Sequence, residues 1–150
     1  MKVVIQRVGQ ASVSVETEKY FQAIGRGFVI FVGVTHSDTE KDVDFLVKKC
    51  SQLRIFGDLN GKMNLSLSEV DGEVLIISQF TLYGDARKGN RPNYTESAKP
   101  ELAFDLYKSF VGKMKRSITP ERVKEGMFGE MMKVKICNDG PVTIIIDSKQ

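Results

Sequence analysis

Hydroxyls, amides and bare backbone, rather than acids, bases or metal ligands, occupy the two stretches of this chain best placed to do chemistry. Ser78-Gln79-Phe80-Thr81-Leu82 closes an apolar run, and Asn138-Asp139-Gly140-Pro141-Val142-Thr143 lies between two strand-like segments near the C-terminus. Groups of this kind select a substrate through backbone shape and hydrogen bonds more than through side-chain chemistry. Thr81 follows the end of a strand, where a hydroxyl or a main-chain N–H can face a ligand. A Gly-Pro bond can be cis at modest cost, and a cis bond points two neighbouring carbonyls the same way. Such a pair could hold an amino group or crowd one face of a stereocentre. Taken alone, Asp139-Gly140-Pro141 also reads as an ordinary turn.

The usual catalysts are missing from the pattern. His36 is the only histidine, so a Ser-His-Asp arrangement would have to run through it. It stands in a turn before an acid-rich helix start, with no serine motif nearby, and reads as an exposed loop residue. Cys50 falls on an apolar helical face and reads as core packing. Cys137 lies at a strand end beside the second stretch, without an activating base. No cluster of His, Cys, Asp and Glu has metal spacing, and neither a P-loop nor a dinucleotide fingerprint occurs. Neither metal nor organic cofactor is expected.

The elements that must position these groups can be read from periodicity. Lys2–Val8 and Ala11–Glu16 read as paired strands turning at Gly9-Gln10, the second alternating apolar with polar residues. Phe28–Val34 reads as a buried strand. Ser37 and Glu40 have capping-box spacing and open a helix whose Val43, Leu46, Val47, Cys50 and Leu53 share one face. Asn60-Gly61 and Asp71-Gly72 are tight-turn pairs, and Glu73–Ser78 is a strand running into the first stretch. A polar loop from Gly84 to Ser97 leads to a second helix with Pro100 near its first turn. Leu102, Ala103, Leu106, Tyr107, Phe110 and Met114 form the buried stripe of that helix. Thr119-Pro120 predicts a short third helix ended by Gly126. Met132–Cys137 and Val142–Ile146 are the last strands, joined by the second stretch. The whole reads as one α+β domain, residues 1–150, with mixed sheets.

At 150 residues the chain can bury roughly two-thirds of its unfolded surface. It is 41% hydrophobic and 27% charged, which argues against disorder. No apolar run is long enough to span a bilayer, and the N-terminal segment lacks the features of a signal peptide. A cytoplasmic location without membrane contact is therefore expected. Net charge is only +3, but its distribution is uneven. Asp38, Glu40, Asp42 and Asp44 crowd one stretch, and Lys108, Lys113, Lys115, Arg116, Arg122 and Lys124 another. Arg87, Lys88 and Arg91 add a second basic group. Such runs are usually solvated faces, and otherwise phosphate contacts.

Taken together, these stretches closely resemble the D-aminoacyl-tRNA deacylase family. The resemblance rests on Ser78-Gln79-Phe80-Thr81-Leu82, Lys88-Gly89-Asn90-Arg91-Pro92, Gly126-Met127-Phe128-Gly129 and Asn138-Asp139-Gly140-Pro141-Val142-Thr143, in that order. The opening Met1-Lys2-Val3-Val4-Ile5-Gln6-Arg7-Val8 also matches. Glu130 departs from it, standing where a small residue is expected. The resemblance implies mixed and antiparallel strands in a barrel-like core packed with two main helices.

The function so implied is an editing hydrolase. It would cleave the ester joining a D-amino acid, or glycine mischarged on tRNA(Ala), to the 3′ end of tRNA. It would be a homodimer in which the Gly140-Pro141 loop of one subunit enters the pocket of the other. There cis Gly-Pro carbonyls, with Val142 and Thr143 beside them, would fix the amino end and leave no room for an L side chain. N–H groups near Phe80 and Thr81 would hold the developing oxyanion, while the tRNA 2′-hydroxyl helps activate water. Thr81 as a covalent nucleophile stays open as an alternative, weakened by its missing base. Ser78 and Gln79 would position the substrate, and Lys88 and Arg91 would meet terminal phosphates. Two other classes remain: a non-catalytic nucleic-acid-binding module resting on the basic 108–124 segment, and a small-ester hydrolase using Thr81.

Overall fold

A single long strand organises the molecule. The computed structural model describes residues 1–150, and its first strand, β1, runs from Lys2 to Val15. β1 uses both of its edges. Along one it pairs antiparallel with β3 (Gly27–Gly33) through Lys2–Val8, then with β2 (Tyr20–Ile24) through Ala11–Val15. Along the other it pairs with β8 (Lys133–Asp147) over nearly its full length. The remaining elements are α1 (Glu40–Gln52), a small β4–β5 hairpin (Phe56–Gly57 and Met63–Leu65), β6 (Glu73–Ser78), α2 (Pro100–Ser117) and β7 (Val123–Glu125).

The main sheet has the order β2-β1-β3-β6-β7, with β8 on the second edge of β1. β3 pairs parallel with β6, and β6 with β7. The two ends of that order are tied together: the Tyr20 hydroxyl on β2 donates to the Glu125 carbonyl on β7 at 2.6 Å. The sheet therefore curls into a nearly closed, barrel-like form, and the fold is α+β with two main helices, as expected.

Period-two alternation sorts the strand residues into two cores. Phe28, Ile30 and Val32 of β3, with Val74 and Ile76 of β6, pack under α1 and α2. Val29 of β3, with Leu75 and Ile77 of β6, points to the other face and meets Val8, Val13 and Ile24. Because both faces of β3 and β6 are covered, their sequences read as continuous apolar runs rather than alternating ones. Helix α2 buries Leu106, Tyr107, Phe110, Val111 and Met114, and α1 buries Val43, Leu46, Val47 and Cys50. At this scale the burial expected from the sequence holds in part: Val111 is added, and Leu53, Leu102 and Ala103 are only half-buried.

Four local expectations are corrected. The first two strands do not reverse at Gly9-Gln10. They are one strand, because β8 runs alongside and the irregularity is absorbed as register shifts between Gln6 and Val8 and between Val8 and Gln10. The cap of α1 is not Ser37 with Glu40 but Thr39 with Asp42, two residues later. The Asp42 carboxylate accepts the Thr39 N–H at 2.8 Å and its hydroxyl at 3.1 Å. The expected third helix is a single 3-10 turn, Pro120–Arg122, after which β7 pairs with the open edge of β6 and buries Val123. The last two strands are likewise one, β8, with the Gly-Pro stretch inside it rather than between two elements.

The charge runs resolve into ion pairs. Lys108 meets Glu125 at 2.8 Å, Lys113 meets Glu40 at 2.6 Å and also Asp44, and Arg122 meets Asp71 at 2.8 Å. Among these pairs Lys113 alone joins α2 to the acid-rich start of α1; Asp38 and Asp42 are met by the amino terminus and Lys149, and Lys115, Arg116 and Lys124 make no ion pair.

Candidate active site

Strand β6 ends at Ser78 and hands the chain to a tight 3-10 turn, Phe80–Tyr83. The turn is anchored to the neighbouring strand by the Gln79 N–H, which donates to the Val32 carbonyl at 2.8 Å. It also lies unusually close to β3. A Cβ on Gly33 would sit 2.9 Å from Leu82 Cβ and 3.2 Å from the Gln79 carbonyl oxygen, so only glycine lets the two segments meet. Within the turn, Leu82 N–H bonds the Gln79 carbonyl and Gly84 N–H bonds that of Thr81. The N–H groups of Phe80 and Thr81 come first in the turn and have no carbonyl behind them to bond. They are two neighbouring donors without a backbone partner in the turn.

The side chains here are arranged without a base. Gln79 Nε2 donates to Thr81 Oγ1, which leaves the threonine hydroxyl with an amide partner and no proton acceptor of any strength. Phe80 is exposed and packs edge-on against Tyr94, with ring centroids 5.3 Å apart. Its carbonyl accepts a bond from the Ser97 hydroxyl at 2.9 Å. Ser78, Gln79 and Phe80 line a groove of about 570 Å³ whose far wall is the Phe128–Met132 segment. Glu130 is the one charged residue on that wall.

The groove is held open from beneath. Phe128 packs against Phe104 at 5.3 Å and Tyr107 at 5.7 Å. The buried Tyr107 hydroxyl donates to the Ile76 carbonyl at 2.9 Å. Burial pushes that phenol well above its ordinary range, so it stays a neutral donor at any working pH. Gly126 N–H bonds the same Ile76 carbonyl at 2.9 Å. The groove therefore offers apolar walls, Phe80 and the hydroxyls of Ser78 and Ser97, with no histidine, cysteine or lysine on its lining, and Thr81 stands next to it in the turn rather than on the lining itself.

The second stretch lies elsewhere. Asn138 pairs with Val8 and Thr143 with Gln6, so the four residues Asp139–Val142 of β8 stand opposite the single residue Arg7 of β1. The excess backbone has to leave the ladder, and it projects as an exposed tip with a cis Gly140-Pro141 bond. Gly140 has φ of +120°, and a Cβ there would meet Arg7 Nη2 at 2.8 Å. Arg7 is the anchor that the sequence alone did not single out. Its Nη1 donates to the Ile55 carbonyl at 2.6 Å and its Nε to the Asp139 carbonyl at 3.3 Å. Gln6 and Asn138 both donate to Thr143 Oγ1, at 3.4 and 3.3 Å. These polar contacts tie down both ends of the tip.

Within one chain the two stretches do not meet. Ser78 is opposite Val32, Val32 opposite Val3, and Val3 opposite Ile146. The Gly140-Pro141 tip is opposite Arg7, four residues further along β1. Three strand spacings across and four residues along separate the two by about 20 Å as measured along the sheet, and they line different cavities. Lys88 and Arg91 are exposed on a loop pinched shut by Asp85 and Asn93, whose N–H and carbonyl groups bond reciprocally at 2.7 and 2.8 Å. Arg87 on that loop is spent on Asp85, while Lys88 and Arg91 make no ion pair. Cys50 is buried and Cys137 exposed, both as free thiols, and His36 is exposed with Nε2 2.7 Å from the Thr95 carbonyl.

Comparison with known proteins adds to this geometry. The family model described as D-Tyr-tRNA(Tyr) deacylase matches residues 4–147. A Bacillus pumilus protein named D-aminoacyl-tRNA deacylase is 53% identical over 150 residues, covering 100% of both chains. One of the same name from Flavobacterium johnsoniae is 46% identical over 149 residues, covering 99% of this chain and 98% of its own. A solved structure described as "c-Myc DNA Unwinding Element Binding Protein" superposes with a TM-score of 0.91 at 40% identity, covering 98% of each chain. Another, described as "Structural Analysis of a probable eukaryotic D-amino acid tRNA deacylase", shares the fold at 17% identity with a TM-score of 0.84 over 97% of each chain.

Proposed function

The chain belongs to the D-Tyr-tRNA(Tyr) deacylase family, and from that premise we propose that it hydrolyses the ester of D-aminoacyl-tRNA, releasing the D-amino acid and free tRNA. An aminoacyl ester is already activated, so the chemistry asks for positioning and oxyanion stabilisation rather than a strong base. The free N–H groups of Phe80 and Thr81 supply the second, and a donor of that kind is typically worth about 3–4 kcal/mol. Ser78 and Gln79 shape the approach, the tRNA 2′-hydroxyl assists the attacking water, and the exposed Lys88 and Arg91 meet phosphates near the 3′ end. Residues 1–150 act as one deacylase domain, in the cytoplasm.

The observation that carries this reading is the separation of the two stretches. A turn with free donors and a tip of bare backbone, lining different cavities of one chain, are each half of a site. A homodimer with the Gly140-Pro141 tip of one subunit in the groove of the other makes the halves whole. The outer edge of β8 is consistent with such an assembly, since its paired residues, Lys133–Asn138 and Thr143–Asp147, have a partner strand on one side only and Ile145 is 68% exposed. Selection by the Gly140-Pro141 backbone, flanked by Val142 and Thr143, would act on the amino end and reject an L side chain by crowding. The same selector would admit glycine, so mischarged glycyl-tRNA(Ala) is a substrate in this reading. The test is hydrolysis of matched D-Tyr-tRNA and L-Tyr-tRNA by purified protein with a chelator present. Release from the D-ester alone is expected, and equal release of both would overturn the chiral reading.

A second reading, a nucleic-acid-binding module without catalysis, is favoured by one specific observation: the solved structure at 40% identity is of a protein named for binding a DNA element. Against it, Lys108, Lys113 and Arg122, half of the six basic residues in the 108–124 segment, are spent on ion pairs within the chain. Binding of tRNA that falls steeply with salt, without release of the amino acid, is the outcome that would favour it.

A further inference from the structure

Beside the Gly140-Pro141 tip is a concavity of about 340 Å³, closed on its other side by the β4–β5 hairpin. We propose that it is a phosphate site with Arg26 as its ligand, and that it takes a backbone phosphate of the single-stranded tRNA 3′ end. The inference rests on the deacylase reading and deepens it.

Two arginines and one aspartate line the concavity. Arg7 is committed: its guanidinium is divided between the Ile55 carbonyl and Asp139. Arg26 is not. It makes no ion pair and donates no side-chain hydrogen bond, yet its position is defined. Its guanidinium carbon lies 5.1 Å from the centroid of the Phe56 ring. That ring is fixed in turn, being only 1% exposed and stacked on Phe28 at 5.0 Å. The Arg26 backbone is fixed by Glu73 N–H, which donates to its carbonyl at 2.9 Å. A cation resting on an aromatic face keeps the donors on its own edge available. The result is a pre-oriented guanidinium whose hydrogen-bonding capacity is unspent.

The surroundings suit an anion. Asp139 offsets one of the two arginines, which leaves one positive charge over. Gly57 and Gly61 border the space, and a Cβ on either would meet nothing within 4 Å, so the entrance is unobstructed. A planar guanidinium fork matches phosphate oxygens in pairs. In the cross-subunit site the tip reaches the aminoacyl ester, which is carried on the terminal ribose. The phosphate of that nucleotide is only a few bonds away from the ester, and the concavity is lined by the tip residues Asp139–Val142 themselves. Holding it would steady a flexible single strand at the moment the ester must be aligned.

Arg26→Gln tests the proposal, with Arg26→Lys as the conservative partner. Two substrates are compared: D-Tyr-tRNA, and the D-tyrosyl ester of adenosine, which carries no phosphate. For Arg26→Gln the expected result is a KM for D-Tyr-tRNA raised about tenfold, with kcat within about twofold and hydrolysis of the adenosine ester unchanged. Arg26→Lys should restore part of the loss, because the charge remains. The dependence of log KM on log salt should flatten by about 0.7 for the lost single-strand contact. An unchanged KM for D-Tyr-tRNA, or an equal loss on the adenosine ester, overturns the phosphate site while leaving the deacylase reading intact. Wild-type protein inert on D-Tyr-tRNA would overturn that reading and this inference with it.

Discussion

Arg7 on β1 grips Asp139 on β8 at two points, its Nε lying 3.3 Å from the Asp139 carbonyl oxygen and 3.3 Å from its Oδ2. Asp139 directly precedes Gly140-Pro141, so the position of the tip is set by a residue 132 positions earlier in the chain. The same guanidinium satisfies the Ile55 carbonyl, which couples the tip to the segment leading into β4.

Replacing Arg7 with alanine should therefore loosen the tip and orphan a carbonyl together. A stability loss of about 1–3 kcal/mol is expected from the unpaired group, with a larger effect on activity. Thermal unfolding and kcat/KM on D-Tyr-tRNA and L-Tyr-tRNA measure both. Unaltered discrimination between the two esters in a folded variant would show that Arg7 does not hold the selector.

Thr81 can act through its hydroxyl or its N–H, and two substitutions separate them. Thr81→Ala removes only the hydroxyl and should retain activity to within about tenfold. Thr81→Pro removes the N–H and should cost about 100- to 1,000-fold in kcat; because proline also disfavours the helical backbone of Phe80 before it, thermal unfolding of the variant is measured alongside. If alanine abolishes turnover instead, the hydroxyl is the nucleophile.

If each site is shared between subunits, two inactive variants should complement one another. Gly140→Ala is disfavoured by its φ of +120° and by the 2.8 Å approach of Arg7 Nη2, and should be inactive alone, as should Thr81→Pro. Unfolding and refolding them together in equal amounts should return about a quarter of wild-type activity. Half of the dimers are then mixed, and each of these holds one intact site. No recovery in a mixture that forms dimers would place both halves of the site in one chain.

The two thiols should behave differently with pH. Burial pushes Cys50 from 9.0 up to about 12, whereas Cys137 is exposed. A thiol reagent at pH 8 should titrate one group in the native protein and two after denaturation. Because the folded value is the higher one, the contribution of Cys50 to stability is complete below about pH 9. It declines as pH rises toward 12, since the unfolded chain ionises first. Two fast-reacting thiols in native protein would contradict the buried position.

Elements defined by their own periodicity were legible without coordinates. Val43, Leu46, Val47 and Cys50 on α1, Leu106, Tyr107, Phe110 and Met114 on α2 and most of the apolar run of β3 bury as their spacing predicts, because these patterns are local. The errors cluster where a partner overrides local preference. Gly9-Gln10 and Asp139-Gly140-Pro141 carry turn residues, yet both lie inside continuous strands, because β1 and β8 are held against each other over most of their length. Val123–Glu125 was too short to stand out as a strand, and only the open edge of β6 makes it one.

Residue types alone showed which groups could act: hydroxyls, amides and backbone at Ser78–Thr81 and Asn138–Thr143, together with a family resemblance that the comparisons bear out. They also marked Gly140-Pro141 as an interruption between two strand-like segments, with a bond that can be cis. The folded chain was needed to reveal that this interruption is a tip opposite Arg7, and that the tip stands far from the Phe80–Thr81 turn in the same chain. The fold also left Arg26 unpaired over Phe56 while nearby charges found partners. The reason is physical: residue type and local spacing set what a segment can do, whereas register between strands distant in sequence sets which groups face one another.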